Sequence, residues 1–200
     1  MTATHRYFII NKPAGMVSQF ISSHAVGLLG DLDFCFPEGT HAIGRLDKDS
    51  EGLLLLTTDK RVTRLLFLAS VPHQRNYLVM IQNEMTTATL QLLKDGIPIK
   101  IKEGETYLAK PNKIDIVKKP NDLYSFASDR REVFPHTWLL ITLTEGKYRQ
   151  IRKMVLAARH RCLRLIRLSI SNIVLGEMKP GEVKELNGKT FFNLLGIDIL

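Results

Sequence analysis

The densest chemical signal in the chain runs from Ile43 to Asp59, IGRLDKDSEGLLLLTTD. It sets Gly44, Arg45, Leu46 and Asp47 between a polar stretch and the apolar run Leu53–Thr57, which reads as a buried strand. A carboxylate at such a junction sits on rigid scaffold at a cleft, where a reacting group can be held in one place. It can then attack, take a proton, or stabilise a developing positive charge. The plainer reading is that Asp47 or Asp49 caps a turn, and composition alone favours it.

The second signal is electrostatic. The net charge is +8, and eight cations fall between Lys147 and Arg167: Lys147, Arg149, Arg152, Lys153, Arg159, Arg161, Arg164 and Arg167. Only Glu145, just before them, opposes the run, so the excess is local and favours a polyanion, either nucleic acid or an anionic membrane. Residues Tyr148 to Arg159 show helical periodicity, with Ile151, Met154, Val155 and Ala158 on an apolar stripe. Arg149, Arg152, Lys153 and Arg159 share another face, so one helix packs on a core while presenting cations.

Other chemistries lack their residues. Two cysteines, Cys35 and Cys162, are far apart, and six histidines show no ligand spacing, so neither a metal nor a redox motif is indicated. Met1–Arg6 has no signal-peptide pattern, and no apolar run reaches the length of a membrane span, so the cytosol is the expected compartment. With 200 residues, 44% hydrophobic and 24% charged, the composition is that of a globular domain able to bury a core without a disulfide or metal staple.

The elements that must position these residues are mostly strands. Arg6–Asn11 reads as a strand ended by the turn Lys12-Pro13-Ala14-Gly15. Asp59 reads as the N-cap of a helix with Val62, Leu65, Leu66 and Ala69 on its apolar face. Asn76–Ile81 reads as a strand, and Thr86 as the N-cap of a short helix through Lys94 that ends near Gly96. Strands and loops are expected over 97–120, a charged surface loop over 121–135, and a strand at Trp138–Thr144. One or two strands are expected over Cys162–Leu175, and a last strand after the turn Pro180-Gly181. Irregular helices among many strands fit an α+β fold with a mixed sheet better than a regular βαβ winding.

Several of these segments also carry a resemblance. Gly44-Arg45-Leu46-Asp47, followed by Asp49-Ser50-Glu51-Gly52-Leu53-Leu54, resembles the signature of pseudouridine synthases that act on ribosomal RNA. Arg75-Asn76-Tyr77 resembles that family's Lys-x-Tyr segment, with Arg in place of the usual Lys. Glu145 to Met154 resembles its Arg-Gln-Ile-Arg segment, and Asn11–Gly15 and Leu175 … Pro180-Gly181-Glu182-Val183 match its opening and closing features. The resemblance covers nearly the whole chain. It is strongest to the branch without an S4 RNA-binding domain that acts on 23S rRNA, to which Val17–Phe20 and Pro135–Leu139 also point.

This resemblance implies a single catalytic domain over 1–200 with the pseudouridine synthase fold: a mixed, mainly antiparallel sheet, flanking helices and a central RNA-binding cleft. It implies Asp47 as the indispensable catalytic residue. Arg152 would be the cation that keeps Asp47 ionised; otherwise it is a solvated or phosphate-binding arginine. Tyr77 would offer a ring to an extruded uracil; otherwise it is a core aromatic of its strand. Arg45 would lie beside the vacated base stack, Arg75 takes the place of the family's lysine, and Arg149, Lys153, Arg159, Arg161 and Arg164 would meet phosphates; the alternative for some of them, especially in the strand after Cys162, is an ordinary exposed charge. The reaction breaks the N1–C1′ bond, turns the uracil and joins C5 to C1′; it calls for base flipping and for no metal, nucleotide or organic cofactor. A monomer acting on ribosomal RNA is expected. The rivals are an RNA-binding or ribosome-assembly factor that kept the fold and lost activity, and a hydrolytic glycosidase that would enlist Asp49 or Glu51 as a second carboxylate.

Overall fold

A computed structural model describes residues 5–67, 72–101, 104–120 and 130–198. The described chain divides into two compact units. One holds the residues up to His73 together with those from Arg167 onward, and the other holds Gln74–Ile166.

In the first unit, strand β1 (Tyr7–Lys12) lies between β3 (Glu51–Thr57) and β11 (Val183–Leu186), antiparallel to both. The short strand β2 (His41–Ile43) pairs with β3, and β10 (Ile173–Val174) pairs with the end of β9 (Cys162–Ile170). Every residue of β1 and β3 is buried, so both faces of this sheet are covered. Alternation along the strands divides the work. Phe8, Ile10, Leu54 and Leu56 face a cluster completed by Met16, Leu29 and Leu46, with Phe20, Phe34 and Phe36 packed against it. Helix α4 (Gly188–Leu195) packs on Tyr7, whose ring stacks on Phe191 at 4.9 Å and meets the edge of Phe192 at 5.2 Å. Gly188 lets α4 come close here, since a Cβ would stand 3.0 Å from the Tyr7 ring and press on it.

Helix α1 (Arg61–Phe67) follows the cap expected at Asp59, whose Oδ1 accepts the Arg61 N–H at 3.0 Å. Val62 and Leu66 are buried, but Leu65 is 42% exposed. The expected apolar face is thus narrower than the spacing suggested, and Ala69 lies outside the described residues.

The second unit has its own core. Strands β4 (Arg75–Gln82), β8 (His136–Leu143) and β7 (Lys113–Val117) form an antiparallel sheet with β8 central. Strands β5 (Ile97–Lys100) and β6 (Thr106–Ala109) make a separate hairpin. Helix α2 (Thr87–Asp95) is capped by Thr86, which accepts the Thr89 N–H, and ends at Gly96 with φ 108°. Helix α3 (Gln150–Ala157) buries Ile151, Met154 and Val155 among Tyr77, Val79, Ile81, Leu139 and Ile141.

The α+β architecture agrees with the sequence expectation, and every strand pairing named above is antiparallel. Three details differ. Helix α3 is shorter than the periodicity over Tyr148–Arg159 suggested, because Arg149 and Arg159 adopt left-handed φ of 53° and 63° on either side of it. Arg159 is therefore not on the helical face shared by Arg152 and Lys153. Helix α4 follows the strand expected to be last; Asn187 caps it by accepting the Thr190 N–H at 2.8 Å. Within the loop expected over 121–135, residues 121–129 lie outside the described ones, and Arg130–Val133 form a 3-10 turn.

Candidate active site

Asp47 lies in the first unit, on the segment 44–50 that joins β2 to β3. Gly44 opens that segment with φ 73°, a left-handed conformation that suits glycine. Asp47 is half-buried, Arg45 and Asp49 are exposed, and Glu51 is buried at the start of β3. The Asp47 carbonyl accepts the Ser50 N–H at 3.0 Å, so the segment closes on itself just after the carboxylate.

A buried cation stands in the same unit. Lys12 is fully buried, and its Nζ donates to the carbonyls of Pro13 at 2.8 Å and Met16 at 2.7 Å. Burial pulls the Lys12 amino group down to about 8, while the charges of Glu51, Asp49 and Asp47 push it upward and Arg167 lowers it further. Asp47 therefore belongs to an acidic trio with a cation within electrostatic reach. In the sequence Lys12 showed only as part of a turn and of the opening motif Asn11–Gly15.

Arg167 corrects the picture of a continuous exposed patch. It is 5% exposed and its Nε donates to the Leu53 carbonyl at 2.7 Å, so it stitches β9 to the strand that follows Asp47. Arg164, in the same strand, is 4% exposed. Both count as charge in the sequence, but as surface they differ from Arg159 and Arg161, which are exposed.

The remaining site residues lie in the second unit. Tyr77 is 8% exposed within the β4–β8 core cluster. Arg75 is buried and its Nη1 donates to the Thr144 carbonyl at 3.1 Å. Arg149, Arg152 and Lys153 are half-buried around the start of α3. Lys153 Nζ donates to the Lys100 carbonyl at 2.7 Å and lies 5.2 Å from the centre of the exposed Tyr148 ring.

The turn before α3 is held by Glu145, the one acid that opposed the basic run. Its carboxylate accepts the Tyr107 hydroxyl and the Gln150 amide, the latter at 2.6 Å. Gln150 Oε1 in turn accepts the Lys147 N–H at 3.0 Å, and Lys147 Nζ sits 5.1 Å from the centre of the Tyr107 ring. The hydrogen bond to Glu145, then burial, raises the Tyr107 phenol above its ordinary value. Glu145 thus organises the cationic segment. Gln150 showed in the sequence only within its motif, and Tyr107, forty-odd positions earlier, gave no signal.

Among the described residues, no group of three or more His, Cys, Asp or Glu could hold a metal ion. No helix among them is long and apolar enough to cross a membrane.

The comparisons with known proteins agree with the fold. The profile of the RNA pseudouridylate synthases matches residues 6–157. The chain is 34% identical over 186 residues to the ribosomal large subunit pseudouridine synthase E of Vibrio vulnificus, covering 92% of this chain and 76% of that one. It is 32% identical to the protein of the same name from Xanthomonas campestris, covering 87% of this chain and 91% of the relative. A crystal structure of a pseudouridylate synthase superposes with a TM-score of 0.75 at 26% identity, over 95% of this chain and 74% of that one. The chain belongs to the RNA pseudouridylate synthase family. Its activity is that of an isomerase, converting uridine to pseudouridine.

Proposed function

We propose that this chain isomerises specific uridines in ribosomal RNA, within the 23S RNA of the large subunit, and that Asp47 is its catalytic carboxylate. The observation that carries the reading is Asp47 itself: a half-buried carboxylate on a short, closed segment between two strands, inside the motif Gly44–Asp47. The names of the relatives support the choice of ribosomal RNA and of the large subunit. Pseudouridine mapping of ribosomal RNA from cells with and without the gene tests it; a mapped site that persists in the deletion strain overturns the assignment of that site. An assembly factor of the same fold would bind RNA and leave every uridine unchanged.

In this mechanism the target uridine leaves its stack, and Asp47 meets the sugar. The N1–C1′ bond breaks, the uracil turns, C5 bonds to C1′, and the C5 proton is lost while N1 regains one. Asp47 acts either by attack at the sugar or as a base toward C2′, and both roles need it ionised. Tyr77 gives a ring to the uracil, and Arg45 stands beside the vacated stack. Arg149, Lys153, Arg159 and Arg161 hold the RNA backbone, while the buried Arg75 and Arg164 act within the fold. The protein works as a monomer in the cytosol, without a metal or organic cofactor.

Two measurements test the cations. If about five of them meet phosphates, log K for RNA should fall with log salt at a slope of roughly −3.5 to −4.5; a flat response would make them a solvated surface. Arg152, by its place in the Arg-Gln-Ile-Arg segment, is proposed to keep the catalytic carboxylate ionised. Arg152→Met should then cut saturated single turnover far more than it weakens binding. Unchanged saturated turnover, with a salt slope lowered by about one, would leave Arg152 a phosphate contact.

A further inference from the structure

We propose that the Ser18 hydroxyl is the positioning group for Asp47, holding the catalytic segment in register by closing both main-chain valences of Leu46. The inference rests on Asp47 being the catalytic carboxylate. Segment 44–50 lies between β2 and β3 and pairs with no strand among the described residues. Leu46 is buried in the phenylalanine-rich cluster, so its N–H and C=O are out of reach of water and need partners from elsewhere. Ser18 supplies both. Its Oγ accepts the Leu46 N–H at 3.0 Å and donates to the Leu46 carbonyl at 3.0 Å. A hydroxyl, with one donor and two acceptor sites, is among the few side chains that can do this from a single atom.

The far side of Asp47 is tied to the same segment. The Gly15 N–H donates to the Lys48 carbonyl at 2.8 Å, so the residues immediately before and after Asp47 are both anchored to 15–18. That anchor is itself fixed. Lys12 Nζ holds the carbonyls of Pro13 and Met16, the Val17 N–H donates to Gly27 at 2.9 Å, and the Leu29 N–H donates to Gln19 at 2.9 Å. With its neighbours held on both sides, the Asp47 backbone is fixed in place. Reaction at a sugar carbon depends on placing a carboxylate oxygen to a fraction of an ångström. Ser18 touches no reacting atom in this scheme and acts only through Leu46.

The test compares Ser18→Ala, Ser18→Thr and the unchanged chain at a temperature where near-UV circular dichroism shows each folded. Ser18→Ala should lower single turnover at saturating RNA on the order of ten- to a hundredfold, with RNA affinity within about twofold. Ser18→Thr, which keeps the hydroxyl, should recover most of the rate. A folded Ser18→Ala that turns over within about twofold of the unchanged chain overturns the proposal. So does a loss that falls on affinity rather than turnover. If Ser18→Ala does not fold, Ser18→Cys carries the same comparison, because it keeps the volume and weakens both bonds. Asp47→Asn, run alongside, separates the two failures. If that variant stays active, the catalytic reading itself is wrong; if it is inactive while Ser18→Ala is normal, only the positioning role falls.

Discussion

Purified Asp47→Asn protein should form no measurable pseudouridine, a loss of at least about 10,000-fold in single turnover, and should remain folded. The amide reproduces the shape of the carboxylate but not its charge, and neither attack at the sugar nor proton removal at C2′ can proceed from it. Folding should survive because Asp47 is only half-buried and its carbonyl, which the substitution leaves in place, accepts the Ser50 N–H. Asp49 and Glu51 remain near Lys12 to oppose its buried charge. Isomerisation of a synthetic RNA substrate, measured beside a thermal melt, decides the matter. Product formation near the normal rate would remove Asp47 from the chemistry and would turn attention to Asp49 and Glu51.

The second large effect is on stability. Asp59→Ala should cost roughly 2–4 kcal/mol in urea unfolding, since it removes a helix cap and charge-assisted hydrogen bonds together. The Asp59 side chain is 1% exposed. Its Oδ1 takes both the N–H and the Nε of Arg61, at 3.0 and 2.9 Å, and its Oδ2 takes Arg61 Nη2 at 2.8 Å and the Tyr7 hydroxyl at 3.3 Å. Tyr7 is also the residue on which α4 stacks, so the loss should spread from α1 to the sheet and to α4. The Arg61 guanidinium holds the Asp59 carboxyl at about 2, below its ordinary 3.8. A carboxyl that binds its proton less readily when folded stabilises the fold above its unfolded value. That contribution should be full above about pH 5 and should be lost as pH falls through 2. The stability gap between the unchanged chain and Asp59→Asn should therefore narrow on acidification. A cost below about 1 kcal/mol for Asp59→Ala would class the network with ordinary surface pairs.

Local chemistry was legible where it repeats over short distances. The buried strand after Asp47, the caps Asp59, Thr86 and Gly96, and the apolar stripe of α3 all follow from neighbours in sequence. Long-range burial was not. Nothing near Lys12 announces that its ammonium will be enclosed, and charge counting placed Arg164 and Arg167 on a surface that they do not occupy. Arg167 finds its acceptor on Leu53, 114 positions away, and Ser18 finds Leu46 across 28. Helix α4 was missed although Asn187, Phe191, Phe192 and Leu195 spell a cap and a stripe, because its two turns follow directly on the strand that looked like the end of the sheet. Leu65 erred the other way: its spacing suited an apolar face that one short helix does not need.

The first unit is assembled from both ends of the chain, and this sets an order of events during synthesis. Arg6 bonds Glu185, 179 positions on, and β1 acquires its second neighbour only when β11 exists. At translation rates of roughly 5–20 residues per second, about 10–40 s separate the two strands at the ribosome. The residues 74–166 between them are contiguous and can gather their own core in that interval. Until Val183–Leu186 arrives, β1 keeps a bare hydrogen-bonding edge on a strand with no exposed residue, the kind of edge that recruits a stranger's strand. A nascent chain thus displays its cationic helix before it owns a finished scaffold for its carboxylate. The second unit, which carries the cationic helix, can therefore gather its core before the first unit has its last strand.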